Sequence, residues 1–511
     1  MDTLEGLRLG FETATSGTML LYSFLGVLLG TFVGVLPGIG AMAAISLLLP
    51  ITYYIPSTAA LAMLAGIYYG TQYGGSVAAI LLRLPGTPSN AVTCLEGYPM
   101  ARRGKAGLAL STAMLSSFAG SILGLALLIA IGPLLSRFAL NFGPAEYFSL
   151  MLLGLIAAAS VGTGGAARNL AMVVLGIIMG LVGMDINSGV QRLNFGVAQL
   201  IDGISLLALA MGLFGISEII GSLGSSTLTA TAPQTGLRES LPDRATRRRM
   251  VPPILRGTAI GSFFGTMPGV GAGIASFMSY AVEKRMASGR TAEGEAFGTG
   301  AIEGIAGPES ANNAGAITAF VPTLTLGIPG DVVMALMLGA MLLHGIQPGP
   351  LMMQQNPEVF WGLVVSFGIG NLMLLVLNLP LIRVWVAVLR IPFSALYPAI
   401  VVFTCLGVYS VSNSVFDIYL VAAFGALGYA LVALGFSPAP LLLGFILGPL
   451  MEENLRRALL ISRGRLTPFL ESPITLTLLA ASAAIIVASV VLTLRDARAE
   501  RARARPAAET P

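Results

Sequence analysis

Apolar runs of roughly 20 residues recur along the chain, each long enough to cross a hydrocarbon core of about 30 Å. Polar positions gather in short stretches between them. The pattern predicts an all-α polytopic membrane protein with about 12 membrane segments, some short or broken. The runs are interrupted in a repeated way. Gly34-Val35-Leu36-Pro37-Gly38-Ile39-Gly40-Ala41 is echoed by Gly265-Thr266-Met267-Pro268-Gly269-Val270-Gly271-Ala272. Proline lacks an N–H donor and glycine loses backbone entropy, so each stretch breaks a helix. In a bilayer the freed backbone groups must face protein or a watery cavity. Matched breaks in two halves point to a transporter's substrate site.

Each half carries a second break. The first half reads Tyr73-Gly74-Gly75-Ser76, then Arg83-Leu84-Pro85-Gly86-Thr87-Pro88-Ser89-Asn90. The second reads Gly307-Pro308-Glu309-Ser310-Ala311-Asn312-Asn313, then Thr325-Leu326-Gly327-Ile328-Pro329-Gly330-Asp331. The order is shared and the register differs by several residues. The expected layout is a first membrane repeat over 1–221, a cytoplasmic linker over 222–250, a second repeat over 251–494 and a charged, disordered tail over 495–511. The linker holds Pro233, Pro242 and Arg247-Arg248-Arg249, polar and basic as inner loops are. The apolar block 251–282 lies between basic groups and is too short for two crossings of about 20 residues each. A re-entrant helical hairpin turning near Pro268 is expected there. Basic Arg102-Arg103-Gly104-Lys105 in the first half faces a neutral counterpart, 344–349, in the second. Alternating loop charge predicts inverted-topology repeats. The bookkeeping fails at the end: 451–465 and the tail are both arginine-rich and one span, 473–494, separates them. The run 437–449 is also short for a crossing.

Composition narrows the class. Hydrophobic residues make up 55% and charged residues 10% of the 511, against about 25% charged in ordinary soluble domains. The net charge of +4 follows from the positive-inside rule, and no soluble domain offers a basic face for nucleic acid. Cys94 and Cys405 stand far apart in apolar contexts and read as core residues. The single histidine, His344, excludes sites that need two. The first 20 residues read as an interfacial amphipathic helix, not a cleaved signal.

A half-helix N-terminus presents unpaired N–H groups and a partial positive charge, so it binds a carboxylate without a buried cation. The substrate candidates are therefore Pro37, Gly38, Gly40, Ser76, Arg83, Pro85, Gly86, Thr87, Ser89 and Asn90. Their second-half counterparts are Pro268, Gly269, Gly271, Asn312, Asn313, Pro329 and Gly330. Unwound carbonyls near Gly34 and Gly265, with Glu309, Ser310 and Asn313, are candidates for a coupling cation such as Na⁺. Arg83 alternates between ligand and snorkelling roles, and Glu309 between coupling and capping. Asp331 reads as a helix N-cap, Glu303 as a structural boundary residue. Glycine-mediated helix packing is the bland alternative for each single break.

At Gly34 to Gly40, Tyr73 to Ser76, Leu84 to Pro88, Ala306 to Asn313, Leu326 to Gly330 and Gly444 to Arg457 the chain resembles the large membrane subunit of the tripartite tricarboxylate transporter family. The likeness covers about residues 15–490. It implies a bacterial inner-membrane, elevator-type permease that works with a small four-helix membrane subunit and a periplasmic solute-binding protein delivering an organic carboxylate. The moving unit would comprise the paired hairpins, and the spans at 107–222 and 358–494 would include the scaffold. Uptake would be driven by a Na⁺ or H⁺ gradient. No cofactor is expected beyond a bound Na⁺, and the absence of a Gly-x-x-x-x-Gly-Lys-Ser/Thr pattern agrees with an ATP-independent route. Homo-oligomerisation is left open. An enzyme is not expected; an anion channel and a non-transporting scaffold are the alternatives.

Overall fold

A computed structural model describes residues 2–36, 40–161, 165–185, 188–222, 241–267, 271–287, 296–381, 384–385 and 393–503. They are almost wholly helical; one two-residue hairpin pairs Gly183-Met184 with Gln191-Arg192. Among the described residues four helices are long and apolar enough to cross a membrane: Gly17–Val35, Thr93–Ala139, Pro357–Asn378 and Val415–Ala433. Shorter apolar helices accompany them. The chain is thus an all-α, multi-pass membrane protein. It packs as two compact units, 1–141 with 204–430, and 142–203 with 431–511.

The larger unit begins with α1 (Thr3–Ala14), α2 (Gly17–Val35), α3 (Ala41–Thr52), α4 (Ser57–Leu82), α5 (Thr93–Met100) and α6 (Ala106–Ala139). Asp2 and Glu5 form a capping box on α1, their carboxylates accepting from N–H groups that the first turn leaves unpaired. The smaller unit takes α7 (Pro144–Val161) and α8 (Ala166–Gly180). The larger resumes with α9 (Leu206–Ala210), α10 (Ser217–Ser222), α11 (Arg244–Gly265), α12 (Gly271–Met286), α13 (Glu303–Thr318), α14 (Phe320–Leu326), α15 (Val332–Leu343), α16 (Pro357–Asn378), α17 (Phe393–Ser412) and α18 (Val415–Ala433). The smaller unit closes with α19 (Ala439–Ile461) and α20 (Pro473–Arg503).

Glycine spacing decides how the larger unit packs. Gly26, Gly30 and Gly34 of α2 lie on the backbone of Met63, Ile67 and Thr71 in α4. Gly257, Gly261 and Gly265 of α11 lie on Gly307, Ala311 and Gly315 in α13. Every glycine of the first triplet is 231 residues before its counterpart, and the partner positions are 244 apart. Both pairs approach closely because no Cβ intervenes, the small-xxx-small mode of membrane helices. Helices α11 and α12 flank the expected turn and are tied by bidentate Arg256–Glu283 hydrogen bonds of 2.8 and 2.6 Å; the turn itself, at 268–270, lies outside the described residues. Arg249 pairs with Glu303 at 3.0 Å, in keeping with a structural role for that acid.

In the smaller unit Gly176 and Gly180 of α8 meet the α19 backbone near Leu441 and Phe445, while Gly444 sits on Val173. One sequence expectation is corrected here. The arginine-rich stretch from 451 belongs largely to α19, which continues to Ile461. Glu452–Arg456 and Glu453–Arg457 pairs at i,i+4 and a 3.1 Å pair from Arg456 to Asp185 offset its charge and carry the helix onward. The tail expected to be disordered from 495 is helical to Arg503, continuing the preceding span without a breaker. A cavity of about 500 Å³ in this unit is bordered by Met184, Asp185, Arg192, Asp202 and Glu452.

Candidate functional site

The second break of the first half is where polar side chains converge, all within the larger unit. α4 ends at Arg83, whose backbone is left-handed at φ 59°; the equivalent residue 244 positions on, Gly327, ends α14 at φ 70°. The chain then folds back, and Gly86 comes to rest against the Gly34 carbonyl as Gly330 does against that of Gly265. The break returns to its own first helix in both halves. Beyond Gly86, a 3₁₀ turn (Pro88–Ala91) leads into α5. This turn lays Thr87, Ser89 and Asn90 over Gln72.

Gln72 Oε1 receives Thr87 Oγ1 (3.1 Å), Ser89 Oγ (3.0 Å) and Asn312 Nδ2 (3.1 Å). Asn90 donates to Ser76 Oγ at 2.9 Å and to the Gln72 carbonyl at 3.3 Å. One turn further along α4, Ser76 Oγ reaches Glu309 Oε1 at 2.8 Å. Thr93 donates to the same oxygen at 2.5 Å and Ser117 of α6 to Oε2 at 3.0 Å. Glu309 is 1% exposed, and no Lys, Arg or His among the described residues touches its carboxylate. The Asn312 and Asn313 amide oxygens are buried with no partner. An acid and two free acceptors so deep in an apolar unit are costly to bury, which makes the cluster the candidate site.

The family pattern of the tripartite tricarboxylate transporter TctA family matches residues 20–443. The chain belongs to that family. Among relatives, an uncharacterized 52.8 kDa protein in the TAR-I ttuC' 3' region of Agrobacterium vitis is 49% identical over 499 residues, 98% of each chain. An uncharacterized protein in the TAR-II ttuC' 3' region of the same organism is 52% identical over 238 residues, 47% of this chain and 97% of the relative. No solved structure matches. The TctA protein is the large subunit of a tripartite transporter, so the polar cluster lies inside a transport subunit.

Of the residues singled out in this TctA family member, Ser76, Thr87, Ser89, Asn90, Glu309 and Asn312 meet in the cluster. Asn313 is one turn from Glu309 and donates to its carbonyl at 3.1 Å. Pro329 and Gly330 are buried at the equivalent second-half break, where Asp331 caps α15 by accepting from Met334 N at 2.8 Å, as the sequence suggests. Tyr68 donates to the same acid at 2.9 Å. Gly271, at φ 71°, abuts Asp331. Gly34 and Gly265 are packing surfaces for the returning breaks. Gly40 caps α3 with open space around it, and Pro85 is half-buried. Ser310 turns to the Gly307 carbonyl at 2.8 Å, away from the acid. Arg83 is exposed, its guanidinium 5.9 Å from the Tyr98 ring, outside the cluster. Pro37, Gly38, Pro268 and Gly269 lie outside the described residues.

Sequence reasoning passed over Gln72, Thr93, Ser117 and Glu96. Gln72 is the sole amide in α4, a signal that was available. Glu96, 0% exposed, accepts from Tyr280 OH (2.8 Å) and from the main-chain N–H of Gly300 (2.7 Å) and Ala301 (2.8 Å). It anchors the connection into α13.

Proposed function

We propose that this chain is the permease subunit through which a binding-protein-dependent secondary transporter imports organic di- or tricarboxylates across the bacterial inner membrane, driven by a cation gradient. The observation that carries this reading is the junction of the first half's folded-back break with α13 of the second. There hydroxyls and amides from both halves surround Gln72 and Glu309 in an otherwise apolar unit. Thr87, Ser89, Asn90 and Asn312 supply donors that can turn from Gln72 to a substrate carboxylate. Opposed repeats and an elevator movement would let such a junction open to either side. The partners are a small four-helix membrane subunit and a periplasmic binding protein that selects the cargo.

The test is radiolabelled carboxylate uptake in cells expressing all three components. Uptake should saturate, need the binding protein, survive ATP depletion and collapse with a protonophore or cation ionophore. Flux that does not saturate and ignores the binding protein would convert the reading to a channel.

A further inference from the structure

We infer that Glu309 is the residue through which transport is coupled to the gradient, and that the ion it carries is a proton. The inference rests on the reading of the chain as a secondary transporter and adds the identity and address of its driving ion. The hydrogen bonding of the site suits a proton. Both carboxylate oxygens of Glu309 are met by hydroxyls at 2.5 to 3.0 Å. Those are the separations of oxygens sharing a hydrogen. A hydroxyl donates to an ionised acid and accepts from a neutral one, so Ser76, Thr93 and Ser117 serve both states without moving.

Ser76 is built to switch. Its oxygen is 2.8 Å from Glu309 Oε1 and 3.1 Å from the Gln72 carbonyl, and it has one hydrogen to give. It also accepts from Asn90. With the acid ionised, Ser76 points at it; with the acid neutral, Ser76 turns to Gln72 and can receive the acid's hydrogen. Through Asn90, which donates to Ser76 and accepts from Thr87, that turn reaches Thr87 and its neighbour Ser89, two of the groups proposed to hold the cargo.

The charges around the site leave the acid to itself. On α4, Tyr73 is buried and within electrostatic reach, with Ser121 of α6 beside its hydroxyl. On α5, Cys94 is in reach, while Glu96 is held by Tyr280 and main-chain N–H groups. On α12, Glu283 abuts Gly307 and is neutralised by Arg256 of α11. On α6 the residue facing the acid is Ser117. An ionised Glu309 repels a carboxylate held by the neighbouring donors, and the repulsion is strengthened by the low effective dielectric of a buried site. The anion therefore binds when the acid has taken up a proton. One proton enters with the cargo, and the carboxylate reforms when both leave on the inner side.

The test uses proteoliposomes holding the complete transporter with its binding protein. Two readings are taken: counterflow without a gradient, and accumulation driven by an inward proton gradient, each with and without Na⁺. Wild type should accumulate cargo in Na⁺-free buffer. Glu309→Gln, a fixed neutral mimic, should keep counterflow and lose accumulation. Thr93→Val and Ser117→Ala each remove one donor that favours the ionised form, so accumulation should peak about half to one pH unit higher; these variants decide the matter if Glu309→Gln does not insert. Accumulation by Glu309→Gln equal to wild type, an unmoved pH profile in both hydroxyl variants, or wild-type accumulation that follows Na⁺ and ignores the proton gradient would overturn the assignment. A wild-type complex with neither counterflow nor accumulation would instead remove the transporter reading on which it stands.

Discussion

Gln72 and Arg83 show how differently two polar residues of one helix are used. Gln72 gathers three donors on one oxygen. Gln72→Leu strands them, at about 1–3 kcal/mol for each buried donor that finds no other partner. Thermal unfolding of the purified protein should register the loss as a lowered midpoint, with uptake lost as well. Gln72→Glu, which keeps the acceptor, should lose less stability; equal losses in both variants would show that the oxygen is not what matters. Arg83 holds a left-handed backbone that its counterpart Gly327 adopts freely. Arg83→Gly should raise stability by up to ~1 kcal/mol, the relief of strain less the added freedom of the unfolded chain. Because the guanidinium lies outside the cluster, half-saturation for cargo should stay unchanged. A sharply weakened half-saturation would return Arg83 to the substrate site. At this scale the sequence showed which residues are polar in apolar surroundings, Ser76, Asn90, Glu309 and Asn312 among them. It did not show which of them face one another, since that depends on a fold-back after Pro85 whose direction is set by tertiary contact. Thr93 and Ser117 carry no local signal at all: a hydroxyl in an apolar helix most often bonds its own preceding turn.

Among the helices, glycine means two things, and substitutions should separate them. Gly261 lies on the Ala311 backbone, whereas Gly273 on the neighbouring helix has open space around it. Gly261→Ala should destabilise by about 1–3 kcal/mol through overpacking. Gly273→Ala should stabilise by about 0.5–1 kcal/mol, because alanine is the better helix former. Equal effects in a melting experiment would contradict the packing described for α11 on α13. Helix type and the main breaks were legible in the chain because Pro-Gly pairs interrupt otherwise continuous apolar runs. Helix ends were less so. The extension of α19 to Ile461 was hidden, since composition shows the arginines beyond 451 but not that two of them are paired with glutamates one turn away.

For the whole molecule, the sequence carried the class, and the two halves it suggested share equivalent contacts at Gly86 and Gly330. Their orientation in the bilayer is open to direct measurement. Single cysteines at positions 103 and 347, both exposed, should react with an impermeant thiol reagent from opposite faces; labelling from one face would refute opposed repeats. The division into two compact units was not legible, because each unit draws on stretches far apart in sequence. The register between the halves carries a further implication. It grows from 231 to 244 residues between the first break and the following helix, and most of the surplus lies in the connection from α12 to α13, residues 287–302, against 53–56 in the first half. Gly300 and Ala301 of that surplus are fastened to Glu96. Two perfectly matched halves would poise a carrier evenly between its two stations. In the carrier proposed above, a one-sided tether reaching from the later half to the earlier would tilt that balance, so that without cargo it should idle at one station until cargo arrives.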